Sequence, residues 1–198
     1  EIDYRNWGVH VHLMLEKAFA ECDTATTPFF KVILTLSSHE PFDVPMTTHF
    51  LKGNDEASLL LNSCHYTDST VGIFIDKARQ SSWWDSTVVI FVADHGHRSP
   101  RGWEIKDHQR FRIPLLMVGG AIKKDTVIET YGNHTDIANT ILGQLDRPSE
   151  AFLFSKDMLA PATRSFSFYF FNDGVGFIAP EKYIIYDNPG RQLLRQTG

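Results

Sequence analysis

Thr87-Val88-Val89-Ile90-Phe91-Val92-Ala93 carries no charge and no chain breaker, and it runs straight into Asp94-His95-Gly96. A continuous β-branched and aromatic run of this kind is the pattern of a strand buried on both faces of a sheet. Asp94 and His95 then place a carboxylate and an imidazole side by side at the strand's carboxyl end, and Gly96 lets the backbone turn away beneath them. In open α/β sheets that end is where ligands bind. A lone carboxylate buried there would cost several kcal/mol, so Asp94 calls for either a metal ion or an ion-pair partner. Both readings stand on the residues alone. If a divalent metal is held, a carboxylate with an imidazole suits Mn or Zn rather than Ca or Mg, which favour all-oxygen shells.

The neighbouring patterns build a frame around this stretch. Trp7 to Cys22 carries Trp7, Val11, Met14, Leu15, Ala18 and Cys22 at helical spacing. After Pro28, Phe29-Phe30-Lys31-Val32-Ile33-Leu34-Thr35-Leu36 predicts a second strand, which delivers His39 into the loop Ser37-Ser38-His39-Glu40-Pro41-Phe42. Leu60, Cys64, Thr67, Val71, Phe74, Ile75 and Ala78 keep a three-and-four spacing, a long amphipathic helix closed by Ser81 and Ser82. Strand, helix, strand in this order is the pattern of a parallel crossover, which would bring His39 and the Asp94/His95 pair to one edge of the sheet. A strand over 113–118 entered through Pro114 and a helix over 135–145 with Thr135 as N-cap follow. The pattern changes in the tail, where Ser165–Phe171, Gly174–Ala179 and Lys182–Tyr186 are short runs split by Asn172-Asp173-Gly174 and Pro180, an antiparallel meander.

Composition narrows the function. A formal net charge of -5 and a pI near 6.0, without a dense Lys/Arg cluster, argue against nucleic acid as a partner. Cys22 and Cys64 are too few for a disulfide framework and read as two buried thiols. No run approaches the roughly 18 apolar residues of a membrane span, and no signal peptide opens the chain. The chain starts at Glu1 rather than methionine and enters structure at once, which suggests a piece of a longer protein.

Several side chains are candidates for chemistry. His39 suits a donor to a substrate oxyanion, or alternatively a turn cap. His108, with Arg110 and Arg112 in the loop after the Asp94/His95 turn, is a combination that contacts phosphate or sulfate, or else a solvated charged loop. His97 and Arg98 are weaker candidates for substrate contact. No Gly-x-Ser-x-Gly elbow frames Ser37 or Ser38, which argues against a serine hydrolase triad.

Four motifs in order, Leu36-Ser37-Ser38-His39-Glu40-Pro41-Phe42, Tyr66-Thr67-Asp68, Val92-Ala93-Asp94-His95-Gly96 and Thr135-Asp136-Ile137-Ala138-Asn139-Thr140-Ile141-Leu142, resemble the sulfatase-like catalytic domain of lipoteichoic acid synthases. That family belongs to the alkaline phosphatase superfamily together with phosphoethanolamine transferases and sulfatases. The resemblance implies an α/β fold with a mixed, mostly parallel sheet flanked by helices and a small C-terminal antiparallel meander. Residues 1–150 would be the C-terminal portion of the catalytic domain and 151–198 an extension packed on it.

The resemblance also implies a metal-dependent phospho- or sulfo-ester hydrolase, or a phosphoglycerol or phosphoethanolamine transferase. Its substrate would be a phospholipid head group, a phosphodiester or a sulfate ester of the cell envelope. Asp94 and His95 match the family's Asp-His metal ligands, His39 its head-group histidine and His108 a later histidine of the transferases, while Trp7 corresponds to an aromatic residue near the substrate pocket. The family's remaining ligand, a Glu, and its nucleophilic Thr lie upstream of the segment resembling Trp7-Gly8. The expectation is therefore a fragment inactive by itself, from a parent anchored in the cytoplasmic membrane with this domain outside it. The alternatives are a formylglycine-type sulfatase and a binding module that retains the fold without the chemistry.

Overall fold

The computed structural model describes residues 4–5, 8–45 and 50–197, and these form two compact units. The first comprises residues 1–102 and 113–124, the second 103–112 and 125–198.

The first unit is organised by two helices. α1 spans Val11–Asp23 and α2 spans Glu56–Ala78, preceded by two short paired strands, β1 (Tyr4–Arg5) and β2 (Gly8–Val9). Along α1, Val11, Leu15, Ala18 and Cys22 recur on one buried stripe. It packs against Tyr66, Phe74 and Ala78 of α2, with Val11 and Ala78 fully excluded from solvent. The spacing of apolar residues placed the α1 start at Trp7, but the helix begins at Val11, because Gly8 and Val9 are drawn into β2. Trp7 lies outside the described residues. α2 begins four residues before its first apolar anchor, Leu60, because Asp55 caps it: the carboxylate accepts from Ser58 N at 3.1 Å and Ser58 Oγ at 2.6 Å. Asp55→Ala is expected to lower the melting temperature measurably in thermal unfolding by removing this cap.

Residues 29–36 form no ladder among the described residues, contrary to the expected strand. They run extended, with Ile33 against the α1–α2 core and Phe29 edge-on to Trp83, while Phe30, Val32 and Leu34 are 82%, 82% and 68% exposed. The alternation is that of a strand, and what is missing is a hydrogen-bonding neighbour. β3 (Val89–Val92) pairs with β4 (Leu115–Val118) in antiparallel register, Val89 opposite Val118 and Val92 opposite Leu115. Burial on both faces is not observed: Val88 and Val92 are exposed, and Val89 and Phe91 alone of this strand face the helical core. Gly119, at φ 138°, ends β4 where an added Cβ would lie 2.1 Å from Thr87 O, so no side chain fits there. Cys22 is buried as expected, whereas Cys64 is exposed on α2.

The second unit is an antiparallel sheet of β5 (Ser167–Phe171), β6 (Gly174–Ala179), β7 (Lys182–Asp187) and β8 (Gln192–Gln196), in sequential order, with α3 (Asp136–Gln144). The meander expected from the tail is present, and β8 extends it. β8 escaped detection because Gln192-Leu193-Leu194-Arg195-Gln196 has no apolar alternation and every residue in it is exposed. Ile185, 1% exposed, is the sheet's buried centre. Phe111 stacks on Tyr169 with ring centroids 3.9 Å apart, and burial, then the nearby Tyr183 and Asp107, push the Tyr169 phenol up to about 12. Below α3, Asp136 is 3% exposed and accepts from Asn133 N, Lys156 N and Lys156 Nζ. Asn133 clamps Phe168 of β5, its side-chain amide donating to Phe168 O and its side-chain carbonyl accepting from Phe168 N.

Candidate functional site

Two turns of the first unit carry the candidate residues, and each is built from short-range bonds. In the first, Ser37 Oγ accepts from Val11 N at the start of α1, at 2.9 Å, and Ser38 Oγ lies 3.0 Å from Thr67 Oγ1 on α2. His39 N and Phe42 N close successive turns on Leu36 O and His39 O. Both helices thus anchor the loop that presents His39. The His39 ring is exposed, with Nδ1 2.7 Å from Glu40 O. A carbonyl only accepts, so Nδ1 carries the proton and, in the neutral ring, Nε2 is the basic nitrogen.

The second turn follows β3. Asp94 Oδ1 accepts from His95 N at 2.9 Å, and His95 Nδ1 donates to Gly96 O at 2.9 Å. That bond fixes the tautomer and leaves Nε2 as the lone-pair nitrogen, as a carbonyl behind the ring does for metal-ligating histidines. His95 Nε2 lies 3.7 Å from Asp94 Oδ2, and both side chains are about 70% exposed, at 70% and 73%. Two ligands bound at about 2.0–2.2 Å from one ion sit roughly 3–3.6 Å apart, so a small rotation brings this pair into coordination distance. The donor set, one carboxylate oxygen and one imidazole nitrogen, fits Mn or Zn. Both groups face solvent, so burial does not by itself require either a metal ion or an ion-pair partner for Asp94.

The loops meet beyond Gly96. His97 Nε2 lies 3.9 Å from Glu40 Oε1, and the His97 ring stands edge-on to Phe42, which is buried with φ 62°. Ser99 N donates to His97 Nδ1 at 3.1 Å. Arg98 grips Glu56, in the first turn of α2, through Nη2 at 2.5 Å and Nε at 3.2 Å, and Ser99 Oγ adds a bond at 2.6 Å. Glu40, Glu56 and His97 bring their ligand atoms within 4.8 Å of one another, a grouping compatible in number with a metal. Its chemistry points elsewhere. With Nδ1 accepting from Ser99, the neutral His97 ring bears its proton rather than a lone pair on Nε2, which faces Glu40 Oε1 across 3.9 Å, a charge contact and not a hydrogen bond. Arg98 already neutralises Glu56.

The hydrogen bond from Arg98, then that from Ser99, lowers the Glu56 pKa from 4.5 to about 2. A carboxyl group whose folded value is depressed stabilises the fold fully above its unfolded value and loses that contribution as pH falls through the folded value. The Arg98–Glu56 contact is therefore expected to persist at pH 5 and to dissolve between about 4.5 and 2. Titrating the Glu56 carboxyl by NMR, with Arg98→Met returning it toward 4.5, checks this.

His108 and Arg112 belong to the second unit. The His108 ring lies against Tyr183 with centroids 4.6 Å apart, its Nε2 3.1 Å from Gln109 Nε2. Burial, then the Arg195 charge, lowers its pKa. Arg112 is exposed at the end of the single-turn helix His108–Phe111. Glu40 and Glu56 are the site residues that sequence reasoning missed. Glu40 was visible only as a neighbour of His39, and Glu56 carried no signal beyond its place after the Asp55 cap.

Comparison with known proteins places the chain in a family. The sulfatase family model matches residues 1–147, and the chain belongs to that family. It is similar to lipoteichoic acid synthase 1 of Bacillus subtilis (strain 168), at 26% identity over 77% of this chain and 27% of the relative. It is also similar to phosphoglycerol transferase I of Xanthomonas euvesicatoria pv. vesicatoria (strain 85-10), at 25% identity over 78% of this chain and 23% of the relative. The chain thus spans about a quarter of the length of these curated relatives. A solved structure of a protein in the alkaline phosphatase superfamily from Vibrio parahaemolyticus superposes with a TM-score of 0.76 at 24% identity, covering 96% of this chain and 50% of that one. The fold matches that of the superfamily, while every ladder among the described residues is antiparallel, so the parallel crossover expected between residues 29–36 and β3 is not formed there.

Proposed function

We propose that this chain is part of a metal-dependent enzyme that cleaves or transfers a phosphoester, and that Asp94 and His95 supply two of the ligands to its metal. The observation that carries the reading is the His95 ring, whose Nδ1 is committed to Gly96 O while Nε2 stands 3.7 Å from Asp94 Oδ2. When bound, a Mn or Zn ion would neutralise phosphate charge and lower the pKa of the attacking hydroxyl. His39, held by Glu40 O in its own turn, would contact a phosphate oxygen of the substrate. The nucleophile and the remaining ligand are assigned to chain outside these residues, in keeping with relatives about four times as long.

The names of the relatives favour phosphoglycerol or a related lipid head group as substrate over a sulfate ester. We further propose that the protein acts in the cell envelope, with a membrane anchor elsewhere in a longer chain. Among the described residues, no helix is long and apolar enough to cross a membrane. His108, Arg112, Trp7, His97 and Arg98 were all candidates for substrate contact. The ion pair with Glu56 favours a supporting role for Arg98.

The test is hydrolysis of bis-p-nitrophenyl phosphate and p-nitrophenyl sulfate by the longer protein, before and after chelation. Phosphodiester turnover that is lost with EDTA and restored by Mn or Zn supports the proposal. Sulfate turnover alone supports the formylglycine alternative, and turnover of neither with no metal bound supports a binding module.

A further inference from the structure

We propose that His97 is a positioning residue: with Glu40, Arg98 and Glu56 it forms a clasp that sets the spacing between the His39 turn and the Asp94–His95 turn. The proposal rests on the metal-site reading above and goes beyond it, since it concerns four side chains that ligate nothing in that reading.

The clasp is needed because Asp94 and His95 do little to place themselves. Their hydrogen bonds run to each other and to Gly96, and both side chains stand in solvent. Their position is therefore inherited from the residues on either side. Before them, β3 fixes the chain. After them comes Gly96, and the first firm attachment beyond it is the Arg98 fork on Glu56, reinforced by Ser99. Glu56 sits in the first turn of a 23-residue helix whose other end packs into the core, so Arg98 ties the turn to the most rigid element of the unit.

His97 links that anchor to the other turn. Its Nδ1 accepts from Ser99 N, which orients the ring; its Nε2 faces Glu40 Oε1; and its edge meets Phe42. Glu40 and Phe42 flank the His39 turn, and Glu40 O holds the His39 ring. One imidazole thus meets the C-terminal side of the loop that presents His39, whose other side Ser37 and Ser38 tie to the helices, and orients the segment that follows His95. Neither alanine nor a simple cation offers an acceptor on one side of the ring and a donor on the other. Because Glu40 and Arg98 are more than half exposed, at 62% and 58%, the clasp is screened by water and adds little to global stability. Its effect is on where groups sit, and that makes it separable from folding.

The test is a Zn2+ titration of the longer protein, by calorimetry, on the wild type and on His97→Ala, His97→Gln and Arg98→Met. The expected result is one zinc per chain, weakened about 10- to 100-fold by His97→Ala and by Arg98→Met, as for other supports of metal ligands. His97→Gln, whose amide N–H reaches toward Glu40, should recover much of the loss, and the melting temperature should hardly change in any of them. Zinc affinity unaltered in His97→Ala would overturn the proposal. So would a second zinc in the wild type that disappears with Glu40→Gln, because His97 would then be a ligand at a separate centre. Should the wild type bind no zinc, the metal-site reading fails, and hydrogen exchange decides the clasp by itself. His97→Ala and Arg98→Met must then raise exchange at the His95 amide and across residues 39–42 together, and a rise in neither segment rejects it.

Discussion

Replacing Asp136 with alanine is expected to cost about 3–5 kcal/mol of folding free energy, the largest single effect in the second unit. The carboxylate is 4% exposed and its partner, the Lys156 ammonium, 17%. Asp136 accepts two backbone N–H groups as well as Lys156 Nζ, so its loss leaves two amide donors and a buried positive charge unpaired. The ammonium also bonds Phe166 O and lies 4.4 Å from the Phe166 ring centroid, contacts that hold it in place rather than release it to water. Lys156→Met should cost less, because Asp136 would keep both amide donors. Urea denaturation measures the difference, with exchange of the β5 amides showing that the second unit is the part that opens. A loss below about 1 kcal/mol for Asp136→Ala would mean that this pair is dispensable.

Alanine at Asp94 or His95 is expected to reduce Mn or Zn affinity by at least about 100-fold, since supports of metal ligands alone are worth about 10- to 100-fold. The same substitutions should reduce phosphodiester turnover by the longer protein at least as far. Stability should be nearly untouched, because both side chains are exposed and bond only within their own turn. This split, function lost and fold kept, separates a ligand pair from a structural ion pair. A large fall in melting temperature with metal affinity intact would reverse the assignment.

Much of this was legible in the residues. The helical spacing from Val11 to Cys22 and from Leu60 to Ala78 is the spacing of the buried stripes, and the breaks at Asn172-Asp173 and Pro180 are the hairpin turns of the meander. Periodicity reports which face of an element is apolar, and here the apolar faces met. It does not report whether a partner is at hand. Phe29 to Leu36 alternates like a strand yet has no ladder among the described residues, and Val88 and Val92 are exposed although the run around them reads as fully buried. Phe30, Val32 and Leu34 together make an exposed apolar row.

The position of the site residues followed from the strand-end rule, which puts Asp94, His95 and His39 in turns at the ends of apolar runs. The connections between those turns did not. Glu40 to His97 and Arg98 to Glu56 join residues 57 and 42 positions apart, as 97 − 40 and 98 − 56, and no local pattern encodes such a meeting. The His97 tautomer likewise depends on one amide, Ser99 N, whose direction exists only in the folded turn.

The most direct measurement is the imidazole 15N spectrum of the chain during zinc titration. Nine histidines are present, and one is expected to respond: the His95 Nε2 resonance should move saturably to a metal-bound position while its Nδ1–H persists, and the change should vanish in Asp94→Asn. Zinc-dependent shifts that leave His95 untouched and centre on His97, or that survive Asp94→Asn, would contradict the assignment.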